Sequence, residues 1–412
     1  MIQATTRRPP AVLMIAYTNY EIDPRVVRAA EAAAEAGFDV DFIALRRGAQ
    51  PSEEMVRGVR VIRVSQERFR GASRVQYLLS YLAFFVRCFV LSTSLFVRRR
   101  YRVIHVNNMP DVLVFAVLIP RLFGAKVILD IHDPMPETFG AKYGGANRNA
   151  VYRVLLLAER LSVWFASRTV TVNHPVREGV LLKHGYRADT IEVVANFADD
   201  RLFKPMPYPA IDGIVRFVFH GTILERYGLR TLVEAVAKVR RRERIHVRII
   251  GEGDFSETLK RLIQEYGVGD VVDFVNRIYP LREIPSVLSD CHAGLVPLDI
   301  TPISDFALPL KLIEYTCLGL PSVTVNSTAI SYYLRPEECM LYSPGDSSAL
   351  AEILDAIAED PSRLEAYRKR LPAAQQRMSW TVEKQRYVTM LRELAGGSLS
   401  VTKATALEGS SR

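Results

Sequence analysis

Short apolar runs at 12–16, 40–44, 61–64, 103–106, 127–131, 169–172 and 191–194 alternate with stretches whose apolar positions repeat at helical spacing, at 24–36, 74–97, 112–123, 149–166 and 176–184. Strands buried on both faces read as such runs, so the pattern predicts a parallel sheet covered by helices on both sides. Pro205, Pro207 and Pro209 break the pattern within 196–212, which reads as a stiff connection. Strand-like runs resume at 216–220, 247–250, 271–275, 293–296 and 322–325. The chain is therefore expected to hold two similar α/β domains, 1–200 and 213–375, facing each other across a crevice. A helical stretch within 376–395 and a polar tail, 396–412, expected to be disordered, follow.

In such folds ligand groups come from loops after strands. Tyr17 to Arg25 follows the first run, with Asp23 as a helix N-cap, Pro24 at the first helical position, and Arg25 and Arg28 one turn apart. His132, Asp133 and Glu137 follow 127–131, and His220-Gly221-Thr222 through Gly228 opens the second domain as a cradle suited to phosphate oxygens. Beyond the loop 301–307, Leu310, Ile313 and Cys317 predict a buried helix face, while Lys311 and Glu314 share another. Gly319 and Pro321 end this helix. A carboxylate held there can accept two hydrogen bonds from a cis-diol such as a ribose. On this fragment alone, a solvated Lys/Glu pair three residues apart is the alternative.

With 412 residues, a prior of roughly one domain per 150 residues allows two or three domains. Cys88, Cys291, Cys317 and Cys339 are scattered, without a CxxC, as in structural thiols of a reducing compartment. No secretory signal is read at the start, so a cytoplasmic location is expected. The net charge of +9 is concentrated: residues 1–110 carry seventeen Arg and no Lys against nine Asp and Glu. Within that region 75–97 is strongly apolar, interrupted by Arg87 and followed by Arg98, Arg99, Arg100 and Arg102. Three readings stand: a spanning helix, disfavoured by Arg87; a buried domain helix; and a helix showing Tyr77, Tyr81, Phe85, Phe89 and the Arg cluster to an anionic membrane surface. No recognition motif accompanies the arginines, so nucleic acid is not an expected partner.

Taken in order, several pieces resemble the retaining glycosyltransferases of family 4 over roughly residues 11–395. They are Asp23-Pro-Arg-Val, His132-Asp-Pro-Met-Pro-Glu137, Thr169-Val-Thr-Val172, Asn196-Phe-Ala-Asp199, His220-Gly-Thr through Gly228, Ile250-Gly-Glu-Gly253 and Pro309-Leu-Lys-Leu-Ile-Glu-Tyr315. The resemblance implies the GT-B arrangement: an acceptor-binding and a nucleotide-sugar-binding Rossmann-like domain across a cleft, with the helix at 376–395 crossing back to the first. It implies that Glu314 holds the donor ribose, that Gly221 and Thr222 approach the diphosphate, and that Arg226 and Lys311 neutralise it. His132 would meet the donor sugar near its anomeric carbon, Ile278 within 276–280 would lie near the base, and Arg25, Asp133 and Glu137 would serve the acceptor. The implied donor is a UDP- or GDP-sugar, with no metal or other cofactor. The implied acceptor is a lipid-linked or membrane-proximal glycan of cell-surface polysaccharide assembly, with the protein peripheral on the inner face of the membrane.

The chain departs from the family pattern twice. The family's first Glu, eight residues before Glu314, is Phe306 here, with either Asp305 beside it or a loop backbone as the substitute. Its Gly-Arg is Gly221-Thr222, leaving Arg226 to act alone or with Arg230. A nucleotide-sugar epimerase of the same fold and a non-catalytic, donor-binding partner subunit are the alternative readings.

Overall fold

A computed structural model describes residues 9–66, 74–143 and 150–396. The chain packs into two compact units, one of Met1–His132, Ala158–Val170 and Lys384–Arg412, the other of Asp133–Leu157 and Thr171–Glu383. The tail expected to be disordered lies, but for Gly396, outside the described residues.

In the first unit the strands are β1 (Ala11–Ile15), β2 (Asp39–Leu45), β3 (Glu53–Val56), β4 (Val59–Val64), β5 (Val103–Asn107), β6 (Lys126–Ile131) and β7 (Arg168–Thr171). Their order is β3-β4-β2-β1-β5-β6-β7, and β1 pairs in parallel with both β2 and β5. Only β3 is antiparallel to its neighbour among the pairings described; it joins β4 through Arg57 and Gly58, both at positive φ, the geometry of a tight hairpin. The apolar pattern missed β3 because Glu53-Glu54-Met55 is exposed. The winding reverses between β1 and β5, so the loops after these two strands lie at a switch point, with the loop after β6 next to them.

The second unit holds β8 (Ile191–Val193) and a parallel sheet of β9 (Val215–His220), β10 (Ile245–Ile250), β11 (Val272–Val275), β12 (Ala293–Val296), β13 (Ser322–Val325) and β14 (Met340–Tyr342). The sheet order, β11-β10-β9-β12-β13-β14, reverses between β9 and β12. Loops 221–228 and 297–307 therefore leave neighbouring strand ends.

The stretch 196–212, expected as a connection, packs within the second compact unit. It is tied there by hydrogen bonds: Met206 N–H donates to Leu318 O at 3.0 Å and Tyr208 Oη to His292 O at 2.8 Å. Residues ahead of it are tied there too, since Asn173 Nδ2 donates to Phe306 O at 3.1 Å and the Phe306 ring lies against Gly179.

Helix Arg74–Arg99 answers to neither a buried nor an aromatic-faced helix. Only 17% of its most apolar window is buried, and its inward row is Phe84, Cys88, Ser92 and Phe96. Tyr77, Tyr81, Phe85 and Phe89 are half-buried, Tyr81 edge-on to Tyr17 with ring centroids 4.8 Å apart.

Candidate active site

Helix Leu310–Leu318 buries every residue from Leu312 to Leu318, a wider face than the periodicity predicted, because it runs on beneath the second sheet. Leu310, expected in the buried row, is half-buried. Glu314 is buried, and its Oε2 accepts from His220 Nε2 at 2.7 Å. His220 ends β9, and Tyr315 Oη lies 2.9 Å from His220 Nδ1, accepts from His220 N–H and reaches Val218 O. Among the described residues Glu314 Oε1 has no protein hydrogen-bond partner, so one carboxylate oxygen is anchored and one is open. This excludes the solvated pair.

Lys311 sits one turn earlier, its Nζ 4.3 Å from the Phe219 ring centroid and 4.0 Å from that of Tyr227. Burial among these rings pushes its pKa down to about 7; Glu314 draws it up and Arg226 drives it down further. Gly221 faces this ammonium: a Cβ there would stand 3.4 Å from Lys311 Cε. The cradle is knit backbone to backbone. A Cβ on Gly251, at φ +145°, would lie 1.8 Å from Gly221 O, and one on Gly228 1.4 Å from Pro297 O. Thr222 and Arg226 are exposed on this loop, Arg226 beside the Tyr227 ring. Ile278, after β11, is exposed next to Arg277, which stacks on Tyr279 at 4.7 Å.

Three predicted site residues are otherwise engaged. Asp305 clamps the start of helix Thr328–Tyr333, its Oδ1 accepting from Thr328 N–H at 2.9 Å and its Oδ2 from Thr328 Oγ1 at 2.6 Å. Glu137 Oε1 accepts from Tyr152 Oη at 3.0 Å and His184 Nε2 at 2.9 Å, a tie within the second unit. Asp133 is exposed in the same segment. Arg25, in the first unit, forms a two-pronged pair with its own helix cap, Nε to Asp23 Oδ1 and Nη2 to Asp23 Oδ2, each at 2.9 Å. Desolvation opposes the Asp23 charge, but Arg25 and then His132 outweigh it and hold its pKa down to about 2.

His132 closes β6 in the first unit. Its N–H donates to Asn108 Oδ1 at 3.0 Å, and its Nε2 lies 2.8 Å from Asp130 Oδ2. The same oxygen is 3.2 Å from His105 Nε2, and His105 Nδ1 is 2.7 Å from Tyr387 Oη. Burial opposes an ionised Asp130, yet the two imidazoles outweigh it and hold its pKa well below the carboxylate range. An ionised carboxylate only accepts, so both imidazoles donate to it from Nε2. Sequence reasoning missed this chain, the His220–Tyr315 support and the Phe219–Tyr227 rings. Phe219, His220 and His132 sit at or next to strand ends, whereas Tyr227, Tyr315 and Tyr387 lie on helical segments and carry no such local signal.

The Glycosyl transferase 4-like domain family matches residues 22–196 and the Glycosyl transferases group 1 family residues 210–376. The chain carries these two glycosyl transferase domains in the GT-B fold. Sucrose-phosphate synthase from Thermosynechococcus elongatus superposes with a TM-score of 0.74 at 20% identity, over 94% of this transferase and 100% of that chain. Anabaena HepE, solved with UDP and glucose, superposes at 0.70 and 17% identity, over 92% and 98%. The lipopolysaccharide core biosynthesis glycosyltransferase LpsE of Rhizobium meliloti is 26% identical over 215 residues, 49% of this chain and 57% of that protein. The transferase spans about half the length of the curated relatives it matches. Among the described residues no three His, Cys, Asp or Glu side chains are grouped to hold a metal ion.

Proposed function

We propose that this chain transfers a sugar, with retention and without a metal, from a UDP- or GDP-sugar to a lipid-linked or membrane-proximal glycan, working in the cytoplasm at the inner membrane face. The observation that carries the reading is the convergence of the open Glu314 oxygen, the ring-held Lys311 ammonium and the Gly221 turn at the end of β9. A ribose diol would bond the carboxylate, while the diphosphate would take the Gly221 turn, Lys311 and Arg226. These cations neutralise charge on the departing nucleotide, and its phosphate oxygen takes the proton of an acceptor hydroxyl attacking the same face. His132 is assigned to the donor sugar, its ring oriented by Asp130. Polysaccharide and lipopolysaccharide roles of relatives such as LpsE support the acceptor class.

Thermal stability against UDP-, GDP-, ADP- and dTDP-sugars tests the reading. One donor should raise the melting temperature of the wild type but not of Glu314→Ala. Absence of any shift in well-folded protein would reject donor binding.

A further inference from the structure

We propose that the first unit rests on an anionic phospholipid bilayer through an apolar plate of three neighbouring helical segments lying in the interface plane, an inference that deepens the membrane-proximal reading above. Helix Arg74–Arg99 supplies the largest part. Its most apolar window has a mean hydropathy of 1.7, yet Leu78, Leu79, Leu82, Val86 and Val90 are each more than half exposed. Segment 111–123 packs beside this helix, with Ser92 Oγ donating to Ala116 O at 2.8 Å, and it ends in Leu122 and Phe123, both 70% exposed. The third piece is the end of helix Ala150–Phe165. Phe165 packs on Phe115 and under Arg121, each at 5.0 Å, while Trp164 is 79% exposed.

Charge selects the occupant. Between residues 74 and 127 the chain carries eight Arg and Lys and a single carboxylate, Asp111, which is buried. Arg98, Arg100, Arg102 and Lys126 are exposed at the end of this region. Basic side chains near an anionic leaflet are drawn to it, and exposed aliphatics with an interfacial Trp supply the apolar part. The buried row Phe84, Cys88, Ser92 and Phe96 ties the helix to its own unit, and Arg87 at mid-length donates to Gln66. That favours lying in the interface over crossing it.

The full-length protein should float with phosphatidylcholine vesicles containing phosphatidylglycerol, with binding reduced at least ~10-fold on phosphatidylcholine alone or in high salt. The chain has two tryptophans, and Trp380 is buried, so binding should shift the Trp164 emission to the blue. Trp164→Phe should lose the shift and keep most binding. Leu82→Gln with Val86→Gln should abolish flotation with an unchanged melting temperature. The proposal is overturned by no flotation on anionic vesicles, by equal binding to neutral ones, by a double variant that floats normally, or by a stable dimer formed through this face. Release from native membranes by detergent but not by alkaline wash would show a spanning helix and overturn the in-plane arrangement. These vesicles hold no glycan acceptor. Flotation without any nucleotide-sugar thermal shift would keep the membrane surface and remove the transferase reading.

Discussion

Helices Arg74–Arg99 and Leu310–Leu318 are both apolar along most of their length, yet the first is largely exposed while the second is buried from Leu312 onward. The difference lies in their neighbours. Leu310–Leu318 follows β12 and leads into β13 in mid-sheet, and its far side is covered by helix Leu371–Arg377, where Gln375 Nε2 donates to Thr316 O at 2.8 Å. Arg74–Arg99 packs one row inward and leaves the rest uncovered. An apolar helix therefore records a need for a partner without naming it: one helix finds it in its own fold and fixes a carboxylate there, the other turns the need outward.

The largest effect should come from the buried helix. Glu314→Ala removes the open oxygen and leaves His220 Nε2 without its carboxylate; loss of charged hydrogen bonds to a ribose is about 3 kcal/mol, so donor affinity by calorimetry should fall ~100-fold. An effect under threefold would remove Glu314 from the donor site. Next comes Gly294→Ala. Its Cβ would stand 2.2 Å from the Tyr315 ring, and displacing that ring should cost ~1–3 kcal/mol of stability, read as a lower denaturation midpoint. An unchanged midpoint would mean the helix is more loosely seated than its burial implies.

A smaller effect follows from Lys311. In the free protein its pKa is pushed from 10.5 down to about 7, and a bound diphosphate favours the ammonium. Donor affinity should be fully present below pH 7 and fall by up to ~10-fold per pH unit above it, until the pKa of the complex is reached. The free protein behaves oppositely: the unfolded chain holds this proton up to 10.5, so the strain of burying the ammonium is relieved as pH rises from 7. The donor profile should flatten in Lys311→Arg; a flat wild-type profile would show that Lys311 does not meet the phosphates. The smallest effect belongs to the exposed helix, where Leu82→Gln should change stability by less than ~0.5 kcal/mol. A larger loss in urea unfolding would show that the outer face is covered in the free protein.

Much of the fold was legible because strand and helix periodicities are local. The alternation of elements, the helix after 301–307 and the cradle at Gly221 can all be read without neighbours. β3 and β14 could not be: the first is exposed and polar, the second only three residues long. Site roles were less legible, since a polar residue in a post-strand loop looks the same whether it faces a ligand or caps a helix. Asp305, Glu137 and Arg25 are held by Thr328, by His184 with Tyr152, and by Asp23.

By itself the sequence determined two α/β repeats, the position of a carboxylate on a short buried helix, and an arginine-rich, lysine-free first quarter with one long apolar helix. Only the tertiary structure decided that Glu314 is anchored by His220, 94 residues away, that Lys311 stands between Phe219 and Tyr227, and that Leu78, Leu82 and Phe123 point outward. The physical reason is the winding of the sheets. Periodicity fixes what each segment is, but β9 meets β12 across 72 intervening residues, and which side chains then converge or stay uncovered depends on that long-range pairing.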